Sequence, residues 1–189
     1  MNLSMLRNSQ SSYGWLAILL HWISALAILS LFALGLWMVE LDYYSEWYTK
    51  APYYHKSVAI ILAMVILFRV LWKRRQVSPQ ALGKPWEQTG AKLAHLSLYT
   101  LLLCLFTSGY LISTADGRGI EVFSWFTVPA MAELVENQED IAGDFHEWLA
   151  YSLIALTVLH AMAALKHHYW DKDTSLIRML KPLNNQQQK

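Results

Sequence analysis

The chain has 189 residues, of which 55% are hydrophobic and 15% are charged, and its mean hydropathy is +0.25. This composition excludes a disordered chain and also an ordinary soluble globule, because so few polar residues could not cover its apolar surface. The single cysteine, Cys104, excludes a disulfide scaffold, an iron–sulfur cluster and a cysteine-based zinc site. The sequence also lacks the C-x-x-C-H motif of covalently attached c-type haem. A membrane is therefore the expected solvent.

Four apolar segments are long enough to cross the hydrocarbon layer of a membrane, which is about 30 Å thick. They cover residues 15–39, 53–72, 93–114 and 146–168. The first contains no Asp, Glu, Lys or Arg, whereas the second contains Arg69. The sequence therefore predicts an all-α transmembrane four-helix bundle, in which residues 1–189 form a single membrane domain.

Charged residues divide unequally between the two sides that these spans create. The side with both termini carries eleven Lys and Arg against three acidic residues, and the opposite side carries three against eleven. The positive-inside rule then predicts that both termini are cytoplasmic, with a periplasmic loop at 115–144 and a cytoplasmic tail at 169–189. The apolar residues 122–126 within that loop predict either a short interfacial helix or part of a solvated acidic loop.

Histidines inside membrane spans are costly, and here they fall at matched depths. His21 and His160 lie near the cytoplasmic ends of the first and fourth spans, whereas His55 and His146 open the second and fourth spans on the outer side. His146 and His160 are 14 residues apart, which places them within roughly 40° of one helix face and about 21 Å apart along the axis. Two such pairs predict axial ligands for two b-type haems. Zinc or copper would require three or four ligands at one depth.

Two further residues complicate this assignment. His95 lies in the same leaflet as His21 and His160, and it could replace either of them as a ligand. Arg69 follows His55 by 14 residues and so points the same way near the cytoplasmic end. Its guanidinium would either pair with a haem propionate or extend to the cytoplasmic surface.

Several of these segments resemble the bacterial cytochrome b561 family of four-helix, di-haem inner-membrane proteins. The similar segments are Leu20-His21-Trp22, Tyr54-His55-Lys56, Leu93-Ala94-His95, Phe145-His146-Glu147, Leu159-His160-Ala161 and Lys166-His167-His168-Tyr169-Trp170. The resemblance covers about residues 14–182. It implies that His21, His55, His146 and His160 are the axial ligands of two haem b groups, and that His95 lies beside a ligand or at a quinone site.

The resemblance also implies a function. It predicts an oxidoreductase in the lipid of the bacterial inner membrane that carries electrons between a periplasmic donor and ubiquinone or another membrane quinone. Superoxide oxidation coupled to ubiquinone reduction is one activity of this group. An outer surface with three basic and eleven acidic side chains slows the approach of an anion, so a neutral donor or a basic redox protein suits it better. A local positive funnel around Lys50, Lys56 or Arg118 would instead favour superoxide.

Two other functions remain open from the sequence. The chain could be a haem-bearing relay subunit of a larger membrane dehydrogenase complex that docks on the acidic outer surface. It could also be a haem-free transporter that uses its histidines as a proton relay. No nucleic-acid partner is expected, and the sequence leaves the oligomeric state and the direction of electron flow open.

Overall fold

The computed structural model of the chain describes residues 3–182 and is dominated by four long helices. They are α1 (Trp15–Met38), α2 (Trp47–Arg74), α3 (Pro85–Thr114) and α4 (Gln138–Tyr169). A short antiparallel hairpin of β1 (Ile120–Val122) and β2 (Phe126–Val128) lies between α3 and α4, and single 3-10 turns occur at Leu3–Leu6 and Ile177–Met179. The predicted all-α class is confirmed. The end of the predicted tail, residues 183–189, lies outside the described residues.

All four helices are long and apolar enough to cross a membrane. Most side chains in their apolar windows are not buried, including Leu29, Leu103 and Leu159, so lipid must cover them. α2, α3 and α4 begin at Trp47, Pro85 and Gln138, ahead of the apolar segments that predict them. The reason is that hydropathy marks only the part of a helix inside the hydrocarbon, whereas backbone hydrogen bonding continues into the polar turns beyond it.

The chain divides into two compact units, and each helix contributes residues to both. Unit 1 comprises Met1–Ala25, Val65–Ser97 and Leu156–Lys189, and unit 2 comprises Leu26–Met64 and Leu98–Ala155. Unit 1 contains twelve of the Lys and Arg residues and three acidic residues, whereas unit 2 contains three and eleven. The two units are therefore oppositely charged.

Hydrogen bonds hold the non-helical segments of unit 1 together. Arg178, which is buried, donates from Nη1 to the Gln80 carbonyl (2.8 Å), and the Gln80 amide donates to the Gln10 carbonyl (2.9 Å). The indole of Trp22 on α1 donates to the Met179 carbonyl (2.6 Å). These bonds fix the segments before α1, between α2 and α3, and after α4 to one another.

The hairpin of unit 2 is anchored on α2. The fully buried Ser57 accepts a hydrogen bond from the Phe123 amide (3.3 Å) and donates to the Glu121 carbonyl (3.4 Å). Phe123 and Ser124 both adopt left-handed conformations, with φ of 46° and 57°, which are strained for residues other than glycine. Anchoring at Ser57 offsets part of this strain.

The hairpin replaces the interfacial helix considered for residues 122–126, which was wrong. Val122 ends β1 and Phe126 begins β2, and the three residues between them form the turn. Gly119 is required beside β2, because a Cβ there would lie 2.7 Å from Thr127 Cγ2 and 2.7 Å from the Val128 carbonyl oxygen. The glycine thus lets the two strands approach closely.

Candidate functional site

Unit 2 brings the first predicted histidine pair together. The rings of His55 on α2 and His146 on α4 have centroids 6.4 Å apart and planes inclined at 68°. Ser108 on α3 donates its hydroxyl hydrogen to the Leu105 carbonyl (3.1 Å) and lies 3.0 Å from His146 Nδ1. Because the serine has only one hydrogen to donate, it accepts from His146 Nδ1–H. In the neutral imidazole this places the proton on Nδ1, so that the Nε2 lone pair is available to a metal.

Two glycines inside helices lie against this pair. A Cβ added at Gly35 of α1 would lie 3.5 Å from His55 Cε1, and one added at Gly109 of α3 would lie 3.2 Å from His146 Cε1. Glycine within a helix costs about 0.5–1 kcal/mol relative to alanine. The absence of a Cβ at Gly109 leaves the space that the His146 imidazole occupies. A Cβ at Gly35 would make only an ordinary van der Waals contact with His55.

Unit 1 brings the second predicted pair together with the same spacing. The rings of His21 on α1 and His160 on α4 have centroids 6.4 Å apart and planes inclined at 64°. The half-buried Arg69 on α2 donates from Nη2 to His21 Nδ1 at 3.0 Å, since a guanidinium has no acceptor atom. The two pairs therefore have the same centroid separation. The group beside Nδ1 of one histidine is a serine hydroxyl in unit 2 and an arginine guanidinium in unit 1.

His95 lies beside the unit 1 pair with a different geometry. Its ring centroid is 5.1 Å from that of His160, and its Nδ1 lies 2.7 Å from the Ala91 carbonyl one turn earlier on α3. Nδ1 is therefore the donor, which leaves Nε2 free to accept.

The spacing of the pairs fits one metal ion held between two imidazoles. Two metal–nitrogen bonds of about 2.0–2.1 Å each, together with about 1.1 Å from each nitrogen to its ring centre, give centroids about 6.3 Å apart. Both pairs match this value at 6.4 Å, whereas His95 and His160 at 5.1 Å are too close. His55 Nδ1 is buried and makes no hydrogen bond to any residue in the described part of the chain. The donor set, neutral imidazoles in two opposed pairs, suits haem iron.

A separate polar cluster of unit 1 joins α3 to the end of α4. Lys166 Nζ lies 2.8 Å from Glu87 Oε1 and 2.7 Å from Asp171 Oδ2, and His167 Nδ1 lies 2.7 Å from the same Asp171 oxygen. The hydrogen bond from Lys166 lowers the pKa of the Asp171 carboxyl. Although these acidic and histidine ligand atoms lie within 4.8 Å of one another, the lysine ammonium already pairs with both carboxylates.

In unit 2, an exposed ion pair joins Arg118 to Asp116 (Nε to Oδ2, 2.7 Å), and it lowers the pKa of the Asp116 carboxyl. The positive charge of Arg118 is thus already matched by its neighbour.

Ser108, Gly35 and Gly109 are the residues of this site that were not predicted. Ser108 and His146 are 38 residues apart in the chain, and a serine in an apolar helix gives no sign of its partner. The glycines did carry a signal, because glycine in the interior of a helix often marks close approach of another group.

Comparison with known proteins is consistent with this geometry. Residues 12–182 match the model of the prokaryotic cytochrome b561 family. The chain belongs to this family. Family members are haem b proteins of electron transport that span the membrane, so the predicted class of cofactor, the electron-transfer role and the multi-pass membrane location are confirmed.

Three relatives illustrate the range of similarity. The chain is 49% identical over 175 residues to cytochrome b561 homolog 2 of Escherichia coli (strain K12), which covers 92% of this chain and 93% of that protein. It is 29% identical over 171 residues to cytochrome b561 homolog 1 of the same organism (86% and 93% covered). It is 28% identical over 171 residues to the probable superoxide oxidase CybB of Yersinia pestis (89% and 95% covered).

Proposed function

We propose that the protein carries electrons across the bacterial inner membrane, between a periplasmic donor and a membrane quinone such as ubiquinone, through two haem b groups. One haem lies between His55 and His146, and the other between His21 and His160. The observation that carries this proposal is the equal 6.4 Å spacing of two separate imidazole pairs, one in each unit. When bound, haem supplies the one-electron couple of its iron.

The residues of unit 2 hold their haem through a defined tautomer. Ser108 keeps the proton of His146 on Nδ1 and so presents Nε2 to the iron. His55 supplies the opposite imidazole. Gly109, which has no Cβ, leaves the His146 ring room to keep this orientation. The chain thereby sets the tautomer of His146, the residue that would hold one side of the haem iron, before haem binds.

The residues of unit 1 require one rearrangement. A neutral imidazole that binds iron through Nε2 carries its proton on Nδ1 and cannot accept from Arg69. We therefore expect Arg69 to leave His21 and to pair with a haem propionate, the anionic group that a guanidinium binds best. His95 Nε2, which is not used by its own helix, is available to hydrogen-bond a quinone oxygen beside His160.

The charges support the orientation of this membrane domain, which we take as residues 1–189. Unit 1, with twelve basic and three acidic residues, faces the cytoplasm together with both termini, and unit 2 faces the periplasm. Cysteine-labelling of Lys172→Cys and Ser124→Cys variants from the two sides of sealed vesicles tests this orientation. Labelling of position 172 from the periplasm would contradict it.

Haem content and reduced-minus-oxidised spectra of single alanine variants test the ligand assignment. The wild-type chain is expected to hold two b-type haems. His55→Ala and His146→Ala should lose one and the same haem, and His21→Ala and His160→Ala the other, while His95→Ala keeps both. Loss of a haem in His95→Ala with retention in His21→Ala would overturn the assignment.

Superoxide:ubiquinone oxidoreduction is a candidate for the overall reaction, because one relative is named a probable superoxide oxidase. All eleven acidic residues of unit 2 are exposed, and their field repels an anion. If superoxide is the donor, its consumption by the purified protein should rise with ionic strength as this repulsion is screened. Absence of any superoxide consumption would show that the electron donor is a different molecule.

The same acidic surface favours a second candidate, a haem-bearing relay subunit of a larger membrane dehydrogenase complex. Its carboxylates would dock the basic surface of a partner subunit. Failure of the purified chain alone to reduce quinone with any small donor would favour this function over the first.

A further inference from the structure

Unit 2 contains a cavity of about 350 Å³, open to solvent, between the first turns of α2 and strand β1. Residues of α2 form one wall, β1 forms the other, and Ser113 at the end of α3 contributes to the lining. This volume lies at the small end of ligand pockets, and it holds roughly ten water molecules at about 30 Å³ each. A molecule of one or two rings would fill it, whereas a diatomic anion would not.

Lys56 gives this cavity a positive charge next to the proposed haem site. It lines the cavity, is half-buried and directly follows His55 in the chain. Of the three cations in unit 2, Arg118 is bonded to Asp116, and Lys50 lies 4.0 Å from Glu46. Lys56 makes no hydrogen bond or ion pair within residues 3–182. Its ammonium is therefore available to a ligand.

The remaining lining is rich in groups that bind oxygen atoms. Tyr48, Thr49, Tyr53 and Ser113 carry hydroxyl groups, and Glu121 of β1 carries a carboxylate that forms no ion pair with Lys56 or with any other described residue. A cation and a carboxylate that share a cavity without pairing suit a ligand with two oxygens, one that accepts from the ammonium and one that donates to the carboxylate. The two tyrosines suit a planar ring.

We propose that this cavity binds the periplasmic electron donor and that the donor is a small, water-soluble hydroquinone. This inference rests on the proposed function. The hydroquinone first loses one proton to solvent water, and the Lys56 ammonium stabilises the resulting anionic oxygen. Glu121 accepts the second proton and releases it to solvent. The two haem groups, when bound, would supply two one-electron acceptors for the two electrons, and the donor leaves as the quinone.

Isothermal titration calorimetry of the purified protein with resorcinol tests the binding step, because this dihydroxybenzene resists oxidation. We expect saturable binding that weakens about tenfold or more in Lys56→Gln, which loses a charge-assisted hydrogen bond. Thr49→Trp, which fills the cavity, should weaken it similarly. Lys50→Gln, an exposed lysine at the start of the same helix, should bind as the wild type does. Absence of saturable binding to the wild type, or equal affinity in Lys56→Gln and Lys50→Gln, would overturn the proposal.

Stopped-flow reduction by 1,4-naphthohydroquinone tests the donor role. The rate of haem reduction should fall about tenfold in Lys56→Gln and in Thr49→Trp, while Lys50→Gln keeps the wild-type rate. Dithionite, which needs no cavity, should reduce both haems in every variant. Equal naphthohydroquinone rates in all variants would overturn the donor role and leave the haem assignment intact, whereas retention of both haems in the histidine-to-alanine variants above would instead refute the proposed function.

Discussion

Replacing Gly109 with alanine is expected to disturb the haem proposed for unit 2, although alanine is the better helix former. The new Cβ would lie 3.2 Å from His146 Cε1 and 3.5 Å from Nδ1. The first separation is short for a carbon–carbon contact, which is optimal at about 3.5–4.0 Å. The ring must therefore move by a few tenths of an ångström, and this stretches its 3.0 Å contact with Ser108. Disturbing a group that orients a metal ligand typically costs about 10–100-fold in metal affinity.

Gly35→Ala is the matched control, because its Cβ would lie at an ordinary 3.5 Å from His55 Cε1. It should gain the helix propensity of alanine, about 0.5–1 kcal/mol, without disturbing the haem. Transfer of haem to apomyoglobin measures the affinity, and electron paramagnetic resonance of the ferric protein reports the ligand geometry. If Gly109→Ala releases haem no faster than Gly35→Ala and gives an unchanged spectrum, the steric argument is refuted.

Three further variants probe other contacts. Arg69→Gln removes a positive charge beside the haem proposed for unit 1 and should lower the reduction potential of that haem without changing that of the other. Arg69→Lys should have a smaller effect, and a redox titration distinguishes the two variants. Ser57→Ala removes the anchor of the hairpin and should cost about 1–3 kcal/mol locally, seen as faster hydrogen exchange at Phe123, whereas unchanged exchange would show that the anchor is dispensable. The pKa of the Asp171 carboxyl is lowered by Lys166, so the stability from this pair is present above the unfolded pKa of an aspartate and is lost as pH falls through the lower folded pKa. Lys166→Met should therefore reduce the loss of thermal stability on acidification, and an unchanged pH profile would contradict this.

The helices and the histidine pairing could be predicted because both depend on local regularities. Hydropathy marks the segments that need lipid, and a fixed rise per residue converts the position of a histidine into a depth. That is why His21 and His160, and likewise His55 and His146, were expected to meet. The spacing could not exclude His95 as a ligand, because depth alone does not give the distance between two rings.

The contacts around these pairs depend on tertiary packing and were beyond the sequence. Ser108 acts through the direction of one hydroxyl hydrogen, which is set by the Leu105 carbonyl. The strand residues near Phe123 were ambiguous, because a short apolar run has no periodicity that separates a hairpin from an interfacial helix. The hairpin is selected by Ser57, which is distant in sequence.

The surroundings of the two pairs also predict a direction of electron flow within the proposed function. In unit 2 the proposed ligand His146 donates a hydrogen bond from Nδ1–H to the neutral hydroxyl of Ser108, and the unit carries eleven acidic against three basic residues. Both features stabilise the ferric state. In unit 1 the guanidinium of Arg69, paired with a haem propionate as proposed above, would stay beside the haem, and basic residues predominate, which favours the ferrous state. Exposed charges are screened within about 10 Å at 0.1 M salt, so Arg69 should dominate the difference in reduction potential between the two haems.

A redox titration should therefore resolve two reduction potentials, of which that of the unit 1 haem is the higher. Arg69→Gln should reduce the difference between them. Electrons would then pass spontaneously from the periplasmic haem to the cytoplasmic one, and a higher potential for the haem lost in His55→Ala would reverse that direction.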